Sequence, residues 1–165
     1  MKVLGVDASL RSTGVGIVER NGARLQAGAY GLIKNPPQAP HSVCLRRVHE
    51  EITALLNRHH PDAAAIEGGF YFKNVRTAMI LGEVRGVVIA ACAAAGVPVY
   101  EYSPRSAKQA VTGFGGAQKD RVGKMVVAIL GLQETPPEDA ADALAIAICH
   151  AQSQSGVAAL QQQPI

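Results

Sequence analysis

Four acidic residues, far apart in the chain, stand in apolar surroundings that would bury them. Asp7 ends the apolar segment KVLGVD, and Glu67 ends the apolar segment AAAIE. Asp139 and Asp142 lie three residues apart in DAADALAIAICH, so they share one face of a helix that is apolar around its circumference. A buried carboxylate is unfavourable unless a positive charge compensates it. These four side chains are therefore candidates for one shared site that binds cations.

Each of these acids also has an ordinary structural explanation. An aspartate in the first turn of a helix, such as Asp139, caps free N–H groups and interacts favourably with the helix dipole. An acid at the end of a strand, such as Asp7 or Glu67, is often a solvated turn residue. The functional interpretation depends on the four acids occurring together in one pocket.

Four carboxylates in one pocket would repel one another unless divalent cations bound there. Ligation by oxygen alone favours Mg²⁺ or Mn²⁺ over zinc. The histidines do not favour zinc, because His59 and His60 precede Pro61 and no other pair has ligand spacing. Two ions about 4 Å apart activate water and stabilise the leaving oxygen in phosphodiester hydrolysis. The carboxylates therefore indicate a nuclease.

The hydrophobic pattern predicts the elements that must bring these acids together. An Asn-Gly turn signal makes the first three strands antiparallel. Right-handed crossovers would place the last two strands parallel to the first, so that their carboxyl ends share one sheet edge. The predicted fold class is α/β, a mixed sheet flanked by helices. The strands are predicted over 2–7, 14–20, 24–33, 63–67 and 97–102, and the helices over 42–59, 75–95, a short segment from 104, 118–130 and 139–150.

Aromatic and basic residues favour contact with nucleic acid. The chain has four tyrosines, three phenylalanines and no tryptophan, yet FYF (70–72) follows Glu67 closely. Exposed aromatic side chains beside Lys73 and Arg76 suit stacking on unpaired bases while the cations hold phosphates. A second basic stretch, taken alone, is better explained as a solvated helix face. It consists of Arg105, Lys108, Lys119, Arg121 and Lys124 against the single acid Asp120.

Length and composition predict one domain. The 165 residues are 48% apolar, which is enough for one core, and the net charge is only +3. We expect the domain over residues 1–151 and a disordered tail, rich in Gln and Ser, over 152–165. The charged start and the short apolar run at 86–97 predict a cytoplasmic protein without a membrane span. The three scattered cysteines are expected in the core.

Five motifs in order make the sequence resemble the Holliday-junction resolvases of the RuvC family. The resemblance extends from Lys2 to about His150. It is carried by VDxxxxxTG from Asp7, IExxFxxKN from Ile66, LGxxRG from Leu81, the strand PVYEY, and DAADALAIAICH. A chance match of all five in this order is very improbable.

The resemblance implies an RNase H-like fold with a five-stranded sheet, a homodimer, and Mg²⁺-dependent nicking of two opposed strands of a four-way DNA junction. Two identical sites in a dimer would face two equivalent strands, and the small-residue face of helix 75–95 is a candidate interface. The family also implies a partner, the branch-migration complex RuvA–RuvB. Two metal ions would be held in each site by Asp7, Glu67, Asp139 and Asp142.

Other roles follow from the same resemblance. The basic residues near the scissile phosphate correspond to Lys108 and Lys119, and the aromatic residue that probes the junction corresponds to Phe70. Lys119, expected in the loop before the fifth helix, would add positive charge at the phosphate in the transition state. The sequence departs from the family in having Ala8-Ser9 where Pro-Gly commonly follows the first aspartate. That change predicts a different turn conformation without loss of the ligand Asp7.

Three alternatives remain open at this point. The Asp-turn-Gly segment between the first two strands also resembles the phosphate loop of ATP-binding domains of the actin and sugar-kinase type, although the chain is short for that class. A non-catalytic junction-binding protein is disfavoured by the presence of all four acids. A ribosomal-RNA processing nuclease of the same fold fits the aromatic segment and the DAADALA helix poorly.

Overall fold

The computed structural model describes residues 1–68, 74–154 and 163–165. Within these ranges five strands form one sheet in the order β3-β2-β1-β4-β5. The strands are β1 (Lys2–Asp7), β2 (Ser12–Asn21), β3 (Arg24–Lys34), β4 (Ala63–Glu67) and β5 (Val99–Tyr102). The helices are α1 (His41–His59), α2 (Val75–Ala94), α3 (Pro104–Thr112), α4 (Lys119–Leu130) and α5 (Glu138–Ser153).

The sheet combines an antiparallel half with a parallel half. β1 pairs with β2, and β2 with β3, in antiparallel register, and the turn between β2 and β3 contains Gly22 with a φ of 61°. β4 pairs with β1, and β5 with β4, in parallel register. The hairpin and the parallel strands predicted from the sequence are thus confirmed. The register places the carboxyl ends of β1 and β4 side by side, because Val6 is opposite Ile66.

Helices cover both faces of the sheet and divide the core into two layers. α1 and α2 pack on one face, where Val48, Ile52 and Val88 are fully buried. α3, α4 and α5 pack on the other face with Leu144 and Ile148. The three cysteines are all buried and free, as predicted: Cys44, Cys92 and Cys149. Burial of these apolar side chains supplies the main driving force for the fold.

α5 lies directly on β1 and β2 because glycines there leave the sheet surface bare. A Cβ atom at Gly5 would lie 2.0 Å from the carbonyl oxygen of Ala143, and one at Gly14 would lie 1.9 Å from that of Asp139. Neither position could carry a side chain unless the helix moved away. Since Asp7 is opposite Gly14 in the register, this close approach places the start of α5 beside the end of β1.

Helix boundaries differ slightly from those predicted. α5 begins at Glu138, one residue before the predicted start, and continues to Ser153, past the predicted end of the domain at residue 151. β5 begins at Val99, because residues 97 and 98 form the connection from α2. The backbone N–H of Ile165 donates to the carbonyl of Val99 at 2.9 Å. The predicted disordered tail falls largely on residues 155–162, which lie outside the described residues.

α2 is a mostly apolar helix with few charged residues. Among the helices of the described residues, α2 is the one that is long and apolar enough to cross a membrane, judged by length and composition alone. Its 18-residue apolar segment has a mean hydropathy of 1.6, and 22% of that segment is buried. The apolar run at 86–97 noted in the sequence lies largely within this helix. The buried side of α2 includes Val84, Val88 and Cys92, which pack into the core shared with α1. A helix that packs into the core on one side and is uncovered on the other also meets this criterion of length and composition.

Candidate active site

Carboxylates from three elements meet in one cavity at the carboxyl edge of the sheet. Asp7 is the last residue of β1, and Glu67 is the last residue of β4. Both line a cavity of about 230 Å³ together with Asp142 from the first turns of α5. Lys108 and Lys119 line the same cavity. The structure therefore brings three of the four predicted ligands together with both predicted cations.

Asp139 lies beside this cavity and not among its lining residues. Its Oδ2 accepts a hydrogen bond from the hydroxyl of Ser12 at 2.5 Å. It does not cap α5, whose N-cap position is Pro137 without a side-chain hydrogen bond. Its charge nevertheless reaches the cavity, because it helps to raise the pKa of Asp7. The structure therefore places all four acids in one electrostatic cluster.

The crowding of these acids changes their titration. Burial raises the pKa of Asp7 from 3.8 to about 7, and the charges of Glu67, Asp142 and Asp139 add to that rise. Burial and the charge of Asp142 also raise the pKa of Glu67, while a hydrogen bond with Asp7 opposes the rise. Burial raises the pKa of Asp142, which Lys119 counteracts. The pocket thus holds more negative charge than its own cations neutralise.

Lys119 supplies the nearest positive charge. Its ammonium is 3.3 Å from Oδ2 of Asp142 and also forms an ion pair with Glu138. The hydrogen bond to Glu138 is the main reason that the pKa of Lys119 is raised. Lys119 is the first residue of α4, so its expected position in a loop before the fifth helix was wrong. A residue at the start of a helix has a fixed backbone, which limits where its ammonium can reach.

The donor set of the cavity suits a hard divalent cation, since its ligating atoms are carboxylate oxygens. Within the ranges that the structure describes, no three His, Cys, Asp or Glu side chains already have the arrangement of a metal-binding group. Side-chain rotation would have to bring the oxygens of Asp7, Glu67 and Asp142 around an ion. The raised pKa of Asp7 is the observation that favours a cation here, because a divalent ion would relieve the repulsion that contributes to it.

The residues predicted to contact DNA are placed only in part. Phe70 and Lys73 lie outside the described residues. Arg76 is exposed in the first turn of α2, next to Asn74, whose side chain accepts hydrogen bonds from the N–H groups of Arg76 and Thr77. Arg76 also lines a groove with Ser9 and other residues of the β1–β2 turn. This groove holds accessible positive charge.

The turn that departs from the family pattern has an ordinary conformation. The hydroxyl of Thr13 donates to the carbonyl of Ser9 at 2.6 Å, and the N–H of Ser9 is 3.3 Å from the same hydroxyl oxygen. Among the described non-glycine residues only His60 has a positive φ. Ser9 therefore meets no steric penalty in this turn, which does not require glycine at that position.

Sequence reasoning missed several residues that surround the carboxylates. Ser12 binds Asp139, and nothing in its sequence context distinguishes it from other turn serines. Glu138 pairs with Lys119, and its position next to Asp139 in a predicted first turn was a usable signal. A further ion pair that the sequence did not predict joins Arg85 of α2 to Glu101 of β5.

The Arg85–Glu101 pair lies against the backbone that follows Glu67. A Cβ at Gly68 would be 1.9 Å from Cγ of Glu101, so Gly68 leaves the space that this side chain occupies. The N–H of Gly68 donates to the carbonyl of Tyr102 at 2.9 Å. α2, β5 and the end of β4 are thereby connected next to the carboxylate cavity.

Comparison with known proteins gives a consistent result along the whole chain. The family described as crossover junction endodeoxyribonuclease RuvC matches residues 3–150. The protein of that name from Syntrophomonas wolfei is 47% identical over 154 residues, which cover 93% of this chain and 90% of that protein. Its counterpart from Brevibacillus brevis is 44% identical over 153 residues, covering 92% of each.

Solved structures agree with these relatives. The structure of T. thermophilus RuvC in complex with a Holliday junction substrate has a TM-score of 0.91 and 38% identity, covering 100% of this chain and 99% of that one. The yeast mitochondrial Holliday junction resolvase Ydc2 has a TM-score of 0.65 at 14% identity, which is a likeness of fold alone. The predicted RNase H-like α/β fold is therefore confirmed.

Proposed function

This chain belongs to the RuvC family of crossover junction endodeoxyribonucleases, and on that premise we propose that it resolves four-way DNA junctions by nicking two opposed strands, in homologous recombination and DNA repair. The observation that carries the proposal is the cavity in which Asp7, Glu67 and Asp142 meet Lys108 and Lys119. An acidic pocket with basic residues at its border suits a phosphodiester whose cleavage is assisted by cations.

We further propose that Asp7, Glu67, Asp139 and Asp142 hold two Mg²⁺ ions, for which Mn²⁺ can substitute. When bound, such ions supply activated water and stabilise negative charge on the leaving oxygen. The products would be nicks with 5′-phosphate and 3′-hydroxyl ends, which a ligase can seal. The carboxylates of Asp7 and Glu67 come from the rigid ends of adjacent strands, and this limits how far the two ligands can separate.

The two lysines act on the substrate and not on the ions. Lys119 is held by Glu138 and Asp142 at the cavity, where its ammonium would stabilise charge on the phosphate in the transition state. Lys108, on α3, lines the other part of the cavity and would contact a neighbouring phosphate. Outside the cavity, Arg76 would bind the backbone of a junction arm, and Phe70 with Lys73 would contact bases and phosphates at the crossover.

The functional unit in this proposal is a homodimer formed through α2. The exposed side of that helix carries small residues at Gly82, Gly86 and Ala90, and Met79 beside them is 62% exposed. A Cβ at Gly82 or Gly86 would meet nothing within 4 Å in the described part of the chain. A second copy packed there would cover this apolar side and give two sites related by two-fold symmetry. RuvA–RuvB is the partner expected for such a dimer, in the cytoplasm.

One experiment tests the catalytic part of the proposal. The purified protein, Asp7→Asn and the control Asp120→Asn are incubated in Mg²⁺ with a synthetic four-way junction or a linear duplex. Asp120 is a suitable control because its side chain is 78% exposed and pairs only with Lys124 among the ion pairs of the described residues. We expect paired nicks at symmetrical positions of the junction from the wild type and the control, and none from Asp7→Asn, which still binds the junction.

The alternatives predict different results. Junction binding without cleavage in Mg²⁺ and in Mn²⁺ would identify a non-catalytic junction-binding protein. ATP hydrolysis without cleavage would favour the actin and sugar-kinase type. Equal cleavage by Asp7→Asn would show that the carboxylate cluster is not the active site.

A further inference from the structure

Ser12 makes the only hydrogen bond recorded to the Asp139 side chain among the described residues. Its Oγ donates to Oδ2 of Asp139 at 2.5 Å, across 127 positions of sequence, in a partly buried setting. The direction of the bond is fixed, because an ionised carboxylate only accepts. A hydrogen bond of this kind to a charged acceptor is short and stronger than one between neutral groups.

The strand that carries Ser12 also fixes the backbone of Asp139. Gly14 is two residues further along β2, so its missing side chain lies on the same face as Ser12. A Cβ there would be 1.9 Å from the carbonyl oxygen of Asp139 and 2.3 Å from its carbonyl carbon. The strand thus contacts Asp139 twice, through its side chain and through its main chain.

A capping role does not account for this arrangement. The N-cap of α5 is Pro137, and no side chain caps the helix. The carboxylate of Asp139 therefore does not cap the free N–H groups of its own helix. Its carboxylate is instead held at β2, where Gly14, two residues after Ser12, is opposite Asp7 in the register.

We propose that Ser12 is a positioning residue that orients Asp139 for divalent cation binding. The hydroxyl binds one carboxylate oxygen of Asp139, which would restrain the side chain and leave its second oxygen available to help hold a divalent ion. Ser12 itself touches neither the ion nor the DNA. The inference rests on the proposed function, since it assigns Asp139 to the metal site of that nuclease. Loss of a hydrogen-bonding partner of a metal ligand typically lowers metal affinity or activity by about 10- to 100-fold.

The test compares two variants of equal shape. Ser12→Thr keeps a hydroxyl, whereas Ser12→Val replaces it with a methyl group, and both β-branched side chains suit the strand. Ser12→Ala removes the hydroxyl without added volume. Ser153→Ala is the matched control, because it removes a hydroxyl that binds Tyr102 and the carbonyl of His150 at the opposite end of α5.

Two measurements are made on each protein. The first is the Mn²⁺ concentration that raises the unfolding temperature by a fixed increment above the metal-free value of the same protein, without DNA. The second is the Mg²⁺ concentration that gives half-maximal junction cleavage. We expect Ser12→Val and Ser12→Ala to need about 10- to 100-fold more metal in both. Ser12→Thr and Ser153→Ala should stay near the wild-type values, even where their metal-free unfolding temperatures change.

The outcomes separate this inference from the function on which it rests. A wild-type protein that neither gains stability from Mn²⁺ nor cleaves the junction overturns the proposed function. If the wild type gains stability from Mn²⁺ and cleaves the junction, but Ser12→Val needs no more metal than Ser12→Thr, the proposed function stands and the role of Ser12 is overturned. A lower unfolding temperature for Ser12→Val with an unchanged metal requirement would also overturn the role of Ser12, because the hydroxyl would then contribute to stability and not to metal binding.

Discussion

Replacing Asp7 by Asn is expected to stabilise the protein in the absence of metal, although it removes the activity. The pKa of Asp7 rises from 3.8 to about 7 through burial and through the charges of the acids around it. Below about pH 4 the carboxyl is protonated in both the native and the unfolded protein. As the pH rises towards 7, the unfolded chain loses this proton first, so the free energy of unfolding falls.

The pKa difference sets the magnitude. The interval from 3.8 to about 7, at about 1.4 kcal/mol per pH unit, corresponds to about 4 kcal/mol lost by pH 8. At pH 5 only about 2 kcal/mol of this has been lost. Asn is neutral at both pH values, and its amide can donate to Glu67 as the protonated carboxyl does. The advantage of Asp7→Asn over wild type should therefore be about 2–3 kcal/mol greater at pH 8 than at pH 5.

Urea unfolding in EDTA at the two pH values measures this difference. The pH dependence that comes from groups outside the carboxylate cluster, such as His150, cancels because both proteins contain them. Asp120→Asn, on the exposed side of α4, should follow the wild type at both pH values. Added Mg²⁺ should stabilise the wild type at pH 8 and leave Asp7→Asn nearly unchanged. An equal difference between wild type and Asp7→Asn at both pH values would refute the electrostatic explanation.

Three further predictions concern other charged or titrating groups. Lys119→Ala should slow junction cleavage by about 100-fold at saturating Mg²⁺ with little change in junction binding. Lys124→Ala is the control, because it alters an exposed ion pair on the same helix, and it should cleave at the wild-type rate. Glu101→Gln should lower the free energy of unfolding by about 1–3 kcal/mol, because it leaves the guanidinium of Arg85 without its carboxylate; unchanged urea denaturation would contradict this. Burial lowers the pKa of His150 from 6.5 to about 4, so the contribution of this group to stability should be complete above pH 6.5 and fall by about 3 kcal/mol as the pH drops to 4. The difference in free energy of unfolding between wild type and His150→Gln measures this fall, and an equal difference at pH 4 and pH 7 would show that burial does not depress the pKa of the imidazole.

The sequence predicted the fold well because its hydrophobic periods are unambiguous. Five strands and five helices lie close to their expected positions, and the parallel pairing of β1 with β4 follows from the handedness of crossover connections. That pairing alone brings Asp7 and Glu67 together. The position of Asp142 followed from the apolar circumference of α5, which requires burial on most sides.

The remaining contacts could not be predicted because they depend on how α5 rests on the sheet. Gly5 and Gly14 are ordinary glycines in the sequence, and only their contact with α5 shows why they lack side chains. The bond from Ser12 to Asp139 joins residues 127 positions apart through that same contact. The Lys119–Glu138 pair likewise depends on the relative placement of two helices. Sequence periodicity specifies which face of an element is buried, but not its height or rotation on its neighbour.

Stability and the proposed catalysis make opposite demands at this site. The charged cluster around Asp7 destabilises the metal-free protein by several kcal/mol at neutral pH on the scale derived above. The tight packing of α5 on bare strands has the opposite effect, and it also fixes the position from which two of the acids project. A change that loosens α5 would reduce the repulsion and the metal affinity together. The close contact between α5 and β2 therefore serves both the stability of the fold and the placement of like charges near one another.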